Sequence, residues 1–291
     1  MNIDIRSTLK KFNLRPTKSL GQNFLTNSDI LIGIAEAAEL TSEDLVLEIG
    51  PGLGVLTAEL AKAAGMVVAV EIDRRLIPAL NENLKGYPNI YIINEDILKL
   101  NVEEVLAAVV AAKGGSFIPA SLKIIANLPY YITTPIVMKL LESKIKAKAM
   151  VFMVQKEVAD RMKAKPGGKD YGALSVAVQY YSSPSAVMEV PPQSFIPQPD
   201  VESTVVKLDI YEHPPVDLHD QDLFFCVVKA AFGQRRKTLV NALNNAGCFS
   251  LNKEQIKEML EKMGIGENQR GETLSIMQYA QLSNYIFEKH R

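Results

Sequence analysis

The 291-residue sequence has no tryptophan, two cysteines, three histidines and a formal net charge of only −1. Each scarcity excludes something. Cys226 and Cys248 are too few for a disulfide framework, and without a CxxC pair or clustered histidines they offer no metal site. No metal is expected, and a reducing, cytoplasmic setting fits. No run approaches the roughly 20 apolar residues of a membrane span, and the opening MNIDIRSTLKKFNL lacks the unbroken apolar core of a signal peptide. Neither membrane insertion nor export is expected. Internal repeats and low-complexity tracts are missing too. The near-neutral balance removes bulk electrostatics as an argument for nucleic-acid binding.

What is present is an ordinary globular composition, 47% hydrophobic and 22% charged, in a chain long enough for a large domain and a smaller one. The charge is unevenly spread. Residues 36–104 hold 13 acidic and 5 basic side chains, residues 139–169 hold 9 basic and 3 acidic, and the first 18 hold 5 basic and 1 acidic. Such asymmetry suits a rim that grips phosphates, and equally a solvated, lysine-bearing face.

From Leu45 to Val154 short apolar runs alternate with longer mixed segments, the pattern of βαβ units in a parallel sheet. Strands are predicted at 45–49, 67–71, 90–93, 122–126 and 150–154, with helical spacing at Thr57–Ala64 and Arg74–Leu84 between them. The expectation is a Rossmann-like, doubly wound α/β domain over residues 1–210, its first 14 residues flexible. STVVKLDI (203–210) reads as a further strand after the Pro-rich VPPQSFIPQP, and YEHPPVDLHDQD (211–222) as a linker. Residues 211–291 then form a small all-α domain.

Open α/β sheets bind ligands at the carboxyl ends of their strands, which here are Gly50, Glu71, Asp96 and Asn127. Gly50-Pro51-Gly52-Leu53-Gly54 follows a strand and opens a helix. The dinucleotide fingerprint GxGxxG needs a glycine where Val55 stands, which disfavours a pyrophosphate-bearing cofactor. An S-adenosyl cofactor carries no phosphate. Glu71 is placed to accept hydrogen bonds from both ribose hydroxyls, and Asp96 from an adenine amine, although either alone also reads as a solvated loop carboxylate. Asn23, in GQNFL, would fold over the cofactor, or merely lead into a helix.

Asn127-Leu128-Pro129-Tyr130 suits methylation of an aromatic amine, whose lone pair is delocalised into the ring. Acceptors on the amine hydrogens favour the attack-ready nitrogen. Asn127 offers a side-chain carbonyl and Leu128 a backbone one, which Pro129 helps to aim by restricting the residue before it. Tyr130 can stack on an extruded base and favour the charge developing on nitrogen. Phe195, in FIPQPDVES, would supply a second face, or simply pack. Arg235, Arg236 and Lys237 stand in a stretch without acidic residues between Asp222 and Glu254, and read as phosphate contacts or as an exposed helix end.

KSLGQNFL, EIGPGLGVLT, NLPYYITTPI, QKEVADRM, KPGGKDYGALSV, FIPQPDVESTVV and FGQRRKTLVNAL together make the sequence, from about Arg15 onward, resemble the KsgA-type ribosomal RNA adenine dimethyltransferases. The resemblance implies an S-adenosyl-L-methionine-dependent enzyme, a monomer, that adds two methyls to each of two adjacent adenines in the 3′-terminal hairpin loop of small-subunit (16S) RNA within a nearly mature 30S particle. It implies cofactor contacts at Asn23, Leu25, Gly50, Glu71, Asp96 and Asn127, and a target-base site of Asn127, Leu128, Tyr130 and Phe195. Two alternatives share the fold: an Erm-type enzyme acting on large-subunit (23S) RNA, and a non-catalytic RNA or ribosome-assembly binder.

Overall fold

The computed structural model describes residues 3–290 apart from Ser116, Lys144, Arg235, Ala246 and Cys248. Nine strands are formed among the described residues: β1 (Phe24–Leu25), β2 (Asp44–Ile49), β3 (Met66–Glu71), β4 (Ile90–Asn94), β5 (Ser121–Asn127), β6 (Ala147–Gln155), β7 (Ser182–Val190), β8 (Phe195–Ile196) and β9 (Ser203–Ile210). Seven build one sheet in the order β4-β3-β2-β5-β6-β9-β7, while β1 and β8 pair separately and antiparallel. β2 to β6 run parallel and β9 returns antiparallel against β6.

β2 and β3 are buried at every position, as strands covered on both faces must be. Val46, Val67, Ile125, Val151 and Val205 meet Ile30, Ile34, Leu56 and Leu60 of helices Ser28–Ala37 and Val55–Ala63 in one apolar cluster. From β2 the chain steps outward through β3 to β4, then returns to β5 on β2's other side and steps outward to β6. The crevice of such a sheet lies where the order reverses, between the carboxyl ends of β2 and β5.

At the amino ends of these two strands sits a buried ion pair. Lys123 Nζ donates to Asp44 Oδ2 (2.9 Å) and to the Glu39 carbonyl (2.6 Å), and Asp44 also accepts from Ser121 and Thr41. Despite the burial that raises it, these donors bring the Asp44 carboxyl down to about 2.

Two expectations are corrected. First, the segment from Asp4 is ordered: Asp4 caps helix Ile5–Lys11 through the Ser7 N–H, and Ile5 packs with Phe24, Leu53 and Leu76. Second, the chain divides into compact units Met1–Ala159 with Pro184–Ile210 and Asp160–Ser183 with Tyr211–Arg291, so the helical unit is not 211–291 alone. Tyr171, Val176 and Tyr180 are the reason, since they complete a core with Phe224, Val227, Leu239, Ile256 and Tyr279. No helix among the described residues is long and apolar enough to cross a membrane.

Candidate active site

One cavity of the larger unit is lined by Leu20 to Leu25, Glu48, Gly50, Pro51, Gly52, Val55, Leu56, Glu71, Ile72, Leu76 and Asn127 to Tyr131. It opens at the reversal point between β2 and β5. Gly50 and Gly52 both adopt positive φ, 70° and 59°. A Cβ on Gly52 would also sit 3.1 Å from the Phe24 ring, so the loop is held where only glycine fits.

Glu71, 4% exposed at the end of β3, is braced by that loop: Oε2 accepts the Gly52 N–H (3.0 Å) and Oε1 the Asp73 N–H (2.7 Å). Each oxygen keeps a second lone pair for a ligand. Burial raises its pKa, and the charge on Asp73 adds to the rise. The carboxylate is therefore both a pocket wall and the anchor of the glycine loop.

Asn127 ends β5, and its side-chain N–H donates to the Asn23 carbonyl (3.2 Å), which leaves Oδ1 as the acceptor. The Leu128 N–H is fixed on the Met153 carbonyl (3.1 Å), while its own carbonyl accepts no bond from another described residue. Pro129 has φ −59° and ψ 130°, an extended step into the short 3₁₀ turn Tyr130–Ile132. Tyr130 hydroxyl lies 2.6 Å from Ser203 Oγ, which pins the ring, and burial raises the phenol's pKa.

Asn23, Leu25, Gly50, Glu71, Asn127, Leu128 and Tyr130 are thus brought to one cavity. Two expected residues are not among its lining. Phe195 is 1% exposed, its strand β8 paired with β1 through Leu25, in the apolar cluster under the site. Its contribution in this conformation is support for Leu25. Asp96, past the end of β4, caps its own turn by accepting the Leu98 N–H (3.0 Å), and is 22% exposed. Arg236 and Lys237 are exposed in the other unit, and Arg235 lies outside the described residues. Lys139, counted in the basic stretch, spends its ammonium on the Leu98 and Leu100 carbonyls (2.7 and 2.9 Å).

Several residues of the site were not anticipated. Ser203, the last residue of FIPQPDVES, is the one that reaches Tyr130. Gln22 Nε2 donates to Asp73 Oδ2 (2.7 Å) and its carbonyl accepts the Thr17 N–H (2.8 Å), latching the segment that forms the cavity's outer wall. Arg75 clamps the same carboxylate, holding Asp73 below the usual carboxylate range. Glu48, 1% exposed, has an Oε2 without a hydrogen-bond partner among the described residues. Burial pushes it up to about 8, and the charge of Glu71 adds to the rise. A carboxylate inside the apolar run LVLEI was the available signal.

The sheet order that reverses between β2 and β5, with a glycine-lined cavity at that point, is the Rossmann-like fold of solved methyltransferases. The family model for "Ribosomal RNA adenine dimethylase" matches residues 13–288, and the chain belongs to that family. It is 50% identical over 284 residues to "Ribosomal RNA small subunit methyltransferase A" of Alkaliphilus oremlandii, covering 98% of this chain and 96% of the relative. A dimethyladenosine transferase structure from Plasmodium falciparum superposes with TM-score 0.74 at 27% identity, over 92% of this chain and 99% of that one. The 23S rRNA methyltransferase ErmE gives TM-score 0.66 at 27% identity, over 90% and 98%.

Proposed function

We propose that the chain uses S-adenosyl-L-methionine to dimethylate the N6 amines of two adjacent adenines in the 3′-terminal hairpin loop of 16S RNA, acting as a monomer on a nearly mature 30S particle in the cytoplasm. The observation that carries this is the convergence of an acceptor-bearing amide, Asn127, with a carboxylate-braced glycine loop in one cavity. The near-full-length 50% identity to a small-subunit methyltransferase favours 16S RNA over the large-subunit substrate in ErmE's name, where identity is 27%.

The residues fit the cofactor. Glu71's free lone pairs suit ribose hydroxyls, the glycine cradle admits a ligand where a side chain would intrude, and the apolar walls Leu25, Val55, Ile72 and Leu76 suit an adenine. When bound, the cofactor supplies an electrophilic methyl on sulfur, which departs as a neutral thioether. Asn127 Oδ1 and the Leu128 carbonyl accept the two N6 hydrogens, turning the nitrogen lone pair out of conjugation toward the methyl carbon. Tyr130, steadied by Ser203, holds the flipped base by its ring face. A methylated N6 held between these acceptors would be acidic enough to lose its proton to water, so the site needs no strong general base. Repetition on the same nitrogen gives the dimethyl product. Asp96, one strand out, is assigned to the adenine amine of the cofactor, and Phe195 to the support of Leu25 in the cofactor's wall.

The test is to incubate the purified chain with labelled cofactor and with small-subunit or large-subunit particles from cells lacking these methyl groups, then map N6-dimethyladenine. Label confined to two adjacent adenines near the 3′ end of 16S RNA is expected. Label in 23S RNA, or none with intact cofactor binding, would refute the assignment.

A further inference from the structure

The cavity's mouth carries an aromatic side chain that the methyl-transfer reading leaves without work. Tyr131 is 57% exposed, one of few large apolar side chains on this surface, and it lines the same cavity as Asn127 and Tyr130. Tyr130 and Tyr131 occupy successive positions of a 3₁₀ turn, where each residue advances about 120° around the axis, so the rings cannot serve the same base. Tyr130 is tied inward to Ser203. Tyr131 has no hydrogen bond from its hydroxyl to another described residue, and its ring edge leans on Gly21: a Cβ there would lie 3.3 Å from Cδ1 and 3.5 Å from Cε1. Gly21 (φ 57°) lies in the left-handed region that favours glycine, a side chain there would press on the ring, and more than half of Tyr131 is open to solvent.

A fixed, solvent-facing ring next to a pocket that receives an extruded base is a stacking platform. The segment leading to Gly21 carries positive charge: Arg15 and Lys18 are exposed without a side-chain partner among the described residues, and the Lys18 carbonyl accepts the Gly21 N–H (3.0 Å). We propose that Tyr131 stacks on the nucleotide adjoining the target adenine, so that the two tyrosines grip consecutive bases and register the pair of adenines for sequential methylation. The inference rests on the methyl-transfer reading above for the identity of the substrate.

Three variants separate the ring from its hydroxyl and its bulk: Tyr131→Phe, Tyr131→Leu and Tyr131→Ala. Two readouts are taken with the full chain. The first is steady-state methylation of small-subunit particles, with cofactor affinity measured alongside by calorimetry. The second is quenching of 2-aminopurine placed beside the target adenine in a hairpin RNA of the 3′-terminal sequence, which reports stacking without any methyl transfer. Tyr131→Leu and Tyr131→Ala are expected to raise KM for particles roughly 5- to 100-fold and to abolish the quench. Tyr131→Phe is expected to stay within threefold of wild type, with cofactor affinity within twofold throughout. Equal behaviour of Leu and wild type, equal loss in Phe and Leu, or a parallel loss of cofactor affinity would each overturn the stacking role. Quenching by a wild-type chain that transfers no methyl would overturn the methyl-transfer reading and leave the stacking intact.

Discussion

Strand β2 carries a buried carboxylate near each end, and the two are treated in opposite ways. Asp44, at the amino end, meets Lys123, Ser121 and Thr41 and is held at about 2. Glu48, four residues on at the carboxyl end, has an unpartnered oxygen, faces the charge of Glu71 and is held up at about 8. The first end is electrostatically closed, a structural lock finished when the chain folds. The second is open, with Glu48 Oε2 unpartnered among the described residues and Glu48 in the wall of the cavity. Stability and function are thus separated along one strand, and substitutions at the two ends should differ in kind.

The largest effect is expected at the closed end. Lys123→Ala strands Asp44 in the core and should cost about 3 to 5 kcal/mol in denaturant unfolding, while cofactor affinity of the folded fraction stays within twofold. A loss of affinity with unchanged stability would reverse the comparison. At the open end, Glu71→Ala should lower cofactor affinity by at least roughly 10- to 100-fold in calorimetry, since it removes charge-assisted bonds to the ligand and also frees the Gly52 and Asp73 N–H groups. An unchanged dissociation constant would end the ribose assignment.

Glu48→Gln tests the open end through pH. A raised carboxyl keeps its proton in the folded chain after the unfolded chain has released one, so its stabilising contribution is full below the ordinary 4.5 and is lost as pH rises toward about 8. The cofactor-free protein should therefore lose stability over that window, and Glu48→Gln should flatten the loss, with Glu71 supplying what slope remains. Melting curves from about pH 5 to about pH 9 measure it; identical pH profiles would show Glu48 to be satisfied after all. The smallest effect is outside both ends. Replacing Arg236 and Lys237 by Ala should flatten the salt dependence of particle binding by roughly 0.7 to 0.9 per lost phosphate contact, with cofactor affinity unchanged. Binding identical to wild type at every salt concentration would make them plain surface residues.

Much of this was legible because the sheet is built from local signals. The runs around 45–49, 67–71, 90–93 and 122–126 became β2 to β5 with a residue or two added at an end, and Ser203–Ile210 became β9 as read. Motifs at strand ends were legible for the same reason: a parallel strand fixes where its last residue lies. What stayed hidden depends on contacts between distant segments. Nothing local says that Phe24–Leu25 pairs with Phe195–Ile196, which buries Phe195 and leaves Ser203 to reach Tyr130. Helix Ala173–Tyr181 was not read as part of the helical unit, because its packing partners there begin only at Val216.

The interrupted order of the two units sets a timetable for synthesis. Asp160–Ser183 leaves the ribosome early, carrying Tyr171, Val176 and Tyr180, whose packing partners lie between Val216 and Ile286. At roughly 5 to 20 residues per second, the chain after Ile210 takes on the order of 4 to 16 seconds to appear. For that interval a helix made to be covered has nothing of its own unit to cover it. The nascent protein is thus most exposed to aggregation and to chaperones late in translation, after its large sheet is complete. A chain stopped at Ile210, where composition alone would place a clean boundary, keeps that uncovered helix permanently.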